Sequence, residues 1–103
     1  MYFIVTAYDG KDSEAPARRS SAREAHLAGI RKLAKERRHL FGAALLDDEE
    51  NMVGSVLVVD YPSKKTLINE WLDNEAYVTG NVWQKIDIKP CRVPDFFLDT
   101  SLA

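Results

Sequence analysis

The chain has 103 residues, of which 46% are hydrophobic and 29% are charged, and its formal net charge at pH 7 is −2. This composition excludes an intrinsically disordered chain, and the length predicts a single domain over residues 1–103 with a modest hydrophobic core. The small negative charge argues against a nucleic-acid partner, because such proteins concentrate basic residues on one surface.

The first segment of the chain is typical of a β-strand. Residues 1–9 are rich in aromatic and β-branched side chains, and Asp9 followed by Gly10 is a turn signal. No basic and apolar leader precedes this strand, and no apolar run approaches 18 residues. We therefore expect a cytoplasmic protein with no membrane partner.

A long helix is predicted over residues 16–38. Pro16 suits its first turn, because proline lacks only an amide hydrogen that would have no partner there. His39 follows its end, where a cation complements the exposed carbonyl groups, so we expect a capping role for this histidine. The side chains that we expect to point inward recur at helical spacing: Ala22, His26, Ile30 and Leu33.

Two further strands are predicted over residues 40–46 and 52–61. The loop between them, residues 47–51, carries four adjacent carboxylates. It lacks the alternating ligands and the central glycine of a calcium loop, so we interpret it as a solvated turn.

Ser63 is the predicted N-cap of a second helix that ends near residues 73–74, and a short helical turn follows over residues 75–80. The last strand is predicted over residues 82–91, where alternation puts Trp83 on the same face as Lys85.

The tail, residues 93–103, carries Val93, Phe96, Phe97 and Leu98. We expect a partner subunit to bury these apolar side chains.

The element order β-α-β-β-α-β predicts a ferredoxin-like α+β fold. Four antiparallel strands with two helices on one face leave the other face of the sheet uncovered. A second copy packed sheet to sheet would cover that face, so we expect a homodimeric α+β barrel.

The most informative pattern lies on the long helix. Arg19, Arg23, His26, Ile30 and Leu33 follow one another at spacings of four, three, four and three residues, so they form one stripe. The stripe is cationic in its first half and apolar in its second. This arrangement favours an anion-binding or acid–base site at the edge of the core.

The two arginines have a second interpretation. They form ion pairs with Glu14, with Glu24 or with a neighbouring subunit, and the sequence does not decide between these pairs and ligand binding.

Signals for a cofactor or a metal are absent from the sequence. There is no glycine-rich phosphate loop and no dinucleotide fingerprint, so we expect no cofactor. The single cysteine, Cys91, excludes an internal disulfide and a multi-cysteine metal site. A metal site built from His26, Glu75 and Asp73 is disfavoured, since the two histidines show no standard ligand spacing.

Several short motifs together resemble the YciI-like (YCII-related) family over roughly residues 1–90. They are Arg19-x3-Arg23-x2-His26-Leu27, Gly54-Ser55 opening a strand, Trp71-x5-Tyr77-Val78, and Lys89-Pro90. The resemblance implies a dimeric ferredoxin-like barrel with a pocket near the sheet edge of each subunit. It also implies a histidine–aspartate pair for acid–base chemistry. One branch of the family resembles dehydrochlorinases of chlorinated hydroxyquinols, and other members occur as domains of larger proteins.

The family histidine corresponds to His26. The family aspartate lies in an Asp-Pro-Tyr or Asp-Pro-Phe segment, where this chain has Glu75, Ala76 and Tyr77. The carboxylate is therefore retained on a longer side chain and the proline is lost. Asp73 is the alternative partner for the histidine.

The resemblance and the residues lead to one functional hypothesis with one alternative. Glu75 orients His26, which acts as a general base, while Arg19 and Arg23 hold developing negative charge. Tyr77 donates a hydrogen bond or stacks on a ring, although packing is its other interpretation, and Ser55 is counted with the substrate-binding residues. The hypothesis is a lyase or isomerase for a small anionic or phenolic substrate. The alternative is a non-catalytic ligand-binding or accessory module with the same pocket.

Overall fold

The computed structural model describes residues 1–98. Its strands are β1 (Tyr2–Asp9), β2 (His39–Leu46), β3 (Met52–Asp60) and β4 (Trp83–Cys91). Its helices are α1 (Ala15–Lys35), α2 (Lys64–Glu70), a 3-10 helix (Leu72–Asn74), α3 (Ala76–Thr79) and α4 (Asp95–Leu98). All neighbouring strands are antiparallel, in the order β2-β3-β1-β4. This architecture confirms the predicted ferredoxin-like α+β fold.

The core lies between the helices and one face of the sheet. Successive side chains of a strand point to opposite faces, so every second residue of β1 and β3 enters the core. These buried side chains are Phe3, Val5, Ala7, Leu57 and Val59. The inward face of α1 packs against them through partly buried Ala22, Ile30 and Leu33, as the helical spacing predicts.

The long helix ends three residues earlier than the sequence predicts. The chain leaves α1 after Lys35, and Arg37 adopts a left-handed conformation with φ of 60°. The amide of Arg38 then donates to the carbonyl of Leu33 at 3.0 Å, which closes the helix end.

The predicted capping role of His39 is therefore wrong, because His39 is the first residue of β2 and is only 4% exposed. Its Nε2 atom lies 3.2 Å from the hydroxyl oxygen of Tyr61. The ring of Trp71 lies edge-on to it, with centroids 4.5 Å apart. Burial lowers the pKa of His39 to about 4, so the imidazole is neutral and no cation is available there.

Among residues 1–98, the long helix and the core lie on one face of the sheet, and the other face carries partly exposed apolar side chains. Ile4, Val56 and Val58 point to this face and are half-buried, and Phe41 beside Val58 is 59% exposed. A second copy packed against this face stays a prediction.

The tail is described only in part. Phe96 and Phe97 lie in α4 and are 75% and 73% exposed within the single chain. Their rings contact each other, with centroids 4.6 Å apart. The remaining part of the predicted tail, residues 99–103, lies outside the described residues.

Candidate acid–base site

The centre of the site is a buried pair formed by His26 and Glu75. Nδ1 of His26 lies 2.5 Å from Oε1 of Glu75, and the two residues are 9% and 5% exposed. His26 reaches this point from the middle of α1, and Glu75 from the residue just before α3. Asp73, the alternative partner, is exposed in the 3-10 helix. The structure therefore brings His26 together with Glu75 and leaves Asp73 in solvent.

Glu75 is held by donors on both of its oxygens. Nε1 of Trp71 donates to Oε2 at 2.9 Å, and the amide of Tyr77 donates to Oε1 at 3.2 Å. Burial acts to raise the pKa of Glu75, but the hydrogen bond to His26 and these two donors outweigh burial and hold the pKa below its ordinary value. The carboxylate is therefore ionised and fixed in direction.

Tyr77 forms one wall of the site. Its ring stacks on the imidazole of His26 with centroids 3.8 Å apart and planes 7° apart. The guanidinium carbon of Arg19 lies 4.8 Å from the centroid of the same ring. Burial raises the pKa of the Tyr77 hydroxyl, so this group is protonated at neutral pH. Both interpretations made from the sequence, packing and ligand contact, remain compatible with this position.

Arg19 has a partner that the sequence analysis did not find. Its Nη1 atom donates to both carboxylate oxygens of Asp9 at 2.9 Å, and both side chains are almost completely buried. The predicted pairs with Glu14 or Glu24 do not form within residues 1–98. The only signal for Asp9 was its place at the end of β1, which we interpreted as part of a turn.

Ser55 and Trp83 complete the inner part of the site. Nη2 of Arg19 and Nε1 of Trp83 each donate to Oγ of Ser55 at 3.2 Å. The predicted alternation that puts Trp83 on the same face as Lys85 is wrong at this position, because Trp83 is 4% exposed and lies opposite Asp9 of β1, whereas Lys85 is exposed. The register of β1 and β4 shifts between Tyr8 and Asp9, and such an irregularity moves the next side chain to the other face.

A cavity of about 290 Å³ opens beside this cluster. Arg19, His26, Ser55 and Tyr77 line it, together with the exposed Arg23. Within the described part of the chain Arg23 makes no salt bridge, so it is a free cation at the rim of the cavity. The structure thus places five of the six predicted site residues around one cavity, and the sixth, Glu75, behind the imidazole.

A second concavity, of about 710 Å³, is lined by residues of α1, of the end of α2 and of the segment that follows α2. His26 and Glu75 line this concavity as well, together with Tyr61, Trp71 and Arg38. His26 therefore borders both concavities, and Glu75 borders only the larger one.

Other predicted features lie away from this site. The side chain of Asp47 accepts hydrogen bonds from the amides of Glu49 and Asn51, as expected of a solvated turn. Among residues 1–98, no three histidine, cysteine, aspartate or glutamate side chains form a group that could hold a metal ion. The helices within this range are too short or too polar to span a membrane.

Comparisons with known proteins agree with this fold. Protein YciI of Escherichia coli O6:H1 (strain CFT073) and protein YciI of Shigella flexneri are each 28% identical over 98 residues, which cover 89% of this chain and 97% of theirs. A solved structure, 5-chloro-2-hydroxyhydroquinone dehydrochlorinase of Burkholderia phenoliruptrix AC1100 in complex with 2,5-dihydroxybenzoquinone, aligns with a TM-score of 0.77. It is 18% identical, and the alignment covers 93% of this chain and 98% of that one. The model of the YCII-related domain matches residues 1–92. The chain belongs to the YCII-related domain family.

Proposed function

We propose that this protein is a cofactor-independent acid–base enzyme of lyase or isomerase type for a small anionic or phenolic substrate. The observation that carries the proposal is the state of the two nitrogens of His26. Nδ1 is occupied by Glu75, whereas Nε2 has no hydrogen-bond partner among residues 1–98, and His26 lines the cavity. His26 is therefore a buried base with one nitrogen available.

The pairing with Glu75 selects the reactive form of the imidazole. An ionised carboxylate only accepts hydrogen bonds, so it keeps the proton of neutral His26 on Nδ1. Nε2 then carries the lone pair. This nitrogen takes a proton from a substrate hydroxyl or from an acidic carbon, and Glu75 stabilises the imidazolium that forms.

The surrounding charges favour an anion as the substrate or as the developing product. The positive charge of Arg19 is neutralised by Asp9, so this residue supplies hydrogen-bond donors rather than net charge. Arg23 carries a charge that is not paired within residues 1–98, and it lines the cavity with His26. Arg23 therefore attracts a carboxylate or phenolate, and Tyr77 offers a planar surface and a hydroxyl donor.

The structural neighbour suggests a substrate class. That protein is a dehydrochlorinase of a chlorinated hydroxyquinol, and its solved complex contains a hydroxylated quinone. A cavity of about 290 Å³ has room for one such ring. For a chlorinated hydroxyquinol, the net reaction is loss of HCl. Nε2 of His26 takes a hydroxyl proton and delivers it to the ring carbon that bears chlorine, which makes this carbon tetrahedral. Loss of a second hydroxyl proton to Nε2 then expels chloride and leaves a hydroxyquinone.

The direct test is chloride release from 5-chloro-2-hydroxyhydroquinone by the wild-type protein and by His26→Gln, with binding of 2,5-dihydroxybenzoquinone measured in parallel. We expect turnover in the wild type, a loss of about 100-fold or more in His26→Gln, and ligand affinity retained in the variant. His39→Gln is the matched control, because His39 lies outside the cavity.

A second candidate function is a non-catalytic ligand-binding module. The neutralisation of Arg19 by Asp9 favours it, because less positive charge is left to stabilise a transition state. The same experiment separates the two functions. Binding that His26→Gln abolishes, without turnover in the wild type, identifies the module and contradicts the enzyme.

We also propose that the protein is a homodimer in which the uncovered faces of two sheets pack together. The half-buried Ile4, Val56 and Val58 and the exposed Phe41 give that face its apolar character. An apolar sheet face of this kind is stabilised by a second apolar layer.

A further inference from the structure

The hydroxyl of Ser55 has an unusual set of partners. Its oxygen accepts from Nη2 of Arg19 and from Nε1 of Trp83, both at 3.2 Å, and the residue is 4% exposed. A guanidinium and an indole nitrogen donate hydrogen bonds and never accept them. Ser55 is therefore the acceptor in both contacts.

These two contacts leave one direction for the hydroxyl hydrogen. A serine hydroxyl has two lone pairs and one hydrogen, so the two donors occupy both lone pairs. The hydrogen points away from both donors, and within residues 1–98 no group accepts it. Because Ser55 lines the cavity that His26 also lines, the cavity is where an acceptor for this hydrogen can sit.

The strands around Ser55 keep this direction open. The residues directly opposite Ser55 are Ala7 on β1 and Ala44 on β2, so neither cross-strand neighbour offers a side-chain acceptor to the hydroxyl. A Cβ atom on the preceding residue, Gly54, would lie 2.4 Å from the carbonyl oxygen of Ala7. Glycine at this position therefore allows β1 and β3 to approach each other at the site.

We propose that Arg19 and Trp83 hold Ser55 as a dedicated hydrogen-bond donor, so that the cavity selects ligands with a carbonyl, carboxylate or phenolate oxygen at this point. The inference rests on the proposed function, since it concerns a ligand of the same cavity. Trp83 does not line the cavity and acts through Ser55, so it is a positioning residue. Because its indole N–H occupies a lone pair of Ser55, Ser55 has no lone pair left to accept a hydrogen bond from a ligand hydroxyl.

The test compares two probes of similar size at pH 7.5. The oxygens of benzoate only accept hydrogen bonds, whereas phenol also donates one. The dissociation constant of each probe is measured by NMR titration in the wild type, Ser55→Ala, Trp83→Phe and Ser55→Thr. The quantity compared is the Kd of benzoate divided by the Kd of phenol. The two probes differ in charge, but this difference is the same for every variant, so a change in the ratio between variants does not come from it.

We expect this ratio to rise at least threefold in Ser55→Ala, which loses the donor, and in Trp83→Phe, which frees a lone pair of Ser55 for phenol. Ser55→Thr keeps the hydroxyl and keeps the wild-type ratio. Ser20→Ala, an exposed serine of α1, is the matched control. Thermal unfolding of each variant verifies that it is folded.

Two outcomes overturn the inference, and they differ in what they say about the proposed function. An unchanged ratio in folded Ser55→Ala and Trp83→Phe, with benzoate binding still weakened by Arg23→Gln, leaves the cavity as the binding site but removes the role of Ser55. Failure of the wild-type protein to bind either probe overturns the proposed function together with this inference.

Discussion

Nδ1 of His26 and Oε1 of Glu75 lie 2.5 Å apart although the two residues are 49 positions apart along the chain. The carboxylate is tolerated in the interior because each of its oxygens accepts a hydrogen bond from a buried donor. This pair gives the protein a base with a defined tautomer. The imidazole of the pair lines the cavity in which we propose that the reaction takes place.

The first prediction concerns the ionisation of Glu75. In His26→Leu the strongest group that lowers the pKa of Glu75 is lost while burial remains, so the pKa rises above its wild-type value. A depressed pKa stabilises the folded state above pH 4.5, and this contribution is lost as the pH falls through the folded pKa. At neutral pH the variant therefore lacks at least part of this stabilising contribution. The carboxyl ¹³C shift of Glu75 followed against pH measures the effect, and an unchanged pKa contradicts it.

The second prediction concerns His39. Its pKa is lowered from 6.5 to about 4, so between these values the unfolded chain binds a proton that the folded chain does not. The contribution of neutral His39 to the free energy of unfolding is fully present above about pH 6.5. It falls by about 3 kcal/mol as the pH drops to 4. His39→Gln lacks this loss, so the difference in unfolding free energy between wild type and variant narrows on acidification. Urea unfolding at pH 7.5, 5.5 and 4.5 gives the difference, and parallel curves contradict the prediction.

The third prediction compares a buried and an exposed ion pair. Asp9→Asn leaves the guanidinium of Arg19 without a charge partner in the interior, which costs about 3 kcal/mol of unfolding free energy. Asp12→Asn is the control, because the pair of Asp12 and Arg18 is exposed to solvent and its loss has little effect. Denaturant titration of both variants checks this. Equal effects show that burial does not decide the cost.

The fourth prediction tests the dimer. Val56 is half-buried on the uncovered face of the sheet, in a central strand, so Val56→Asp puts a charge where the second sheet is proposed to pack. We expect a dimer for the wild type and a monomer for this variant in sedimentation velocity. The double variant with Phe96→Ser and Phe97→Ser tests in the same measurement whether these two tail residues contribute to the dimer. A monomeric wild type contradicts the proposed interface.

Local sequence patterns predicted the elements of this fold. The period-2 patterns of β1 and β3 and the helical stripe of α1 depend on neighbours within one turn or one strand, so they are visible in the sequence. The same stripe marked His26 as a candidate base, and the family resemblance directed attention to Glu75. The predicted end of α1 was three residues too late. The helix is closed by Arg37 in a left-handed conformation, whereas glycine and asparagine are the residues that usually mark this conformation in a sequence.

What the sequence by itself determined was the order of elements, the face of α1 that meets the core, and the residue types available for acid–base chemistry. Only the tertiary structure decided which of these groups are free. In the structure Arg19 pairs with Asp9, Trp83 donates a hydrogen bond to Ser55, and His39 is buried as a neutral imidazole. The physical reason is that pairing in the interior depends on strand register and on desolvation. A single shift between Tyr8 and Asp9 changes the face of a side chain, and that shift is set by contacts between residues far apart in the chain.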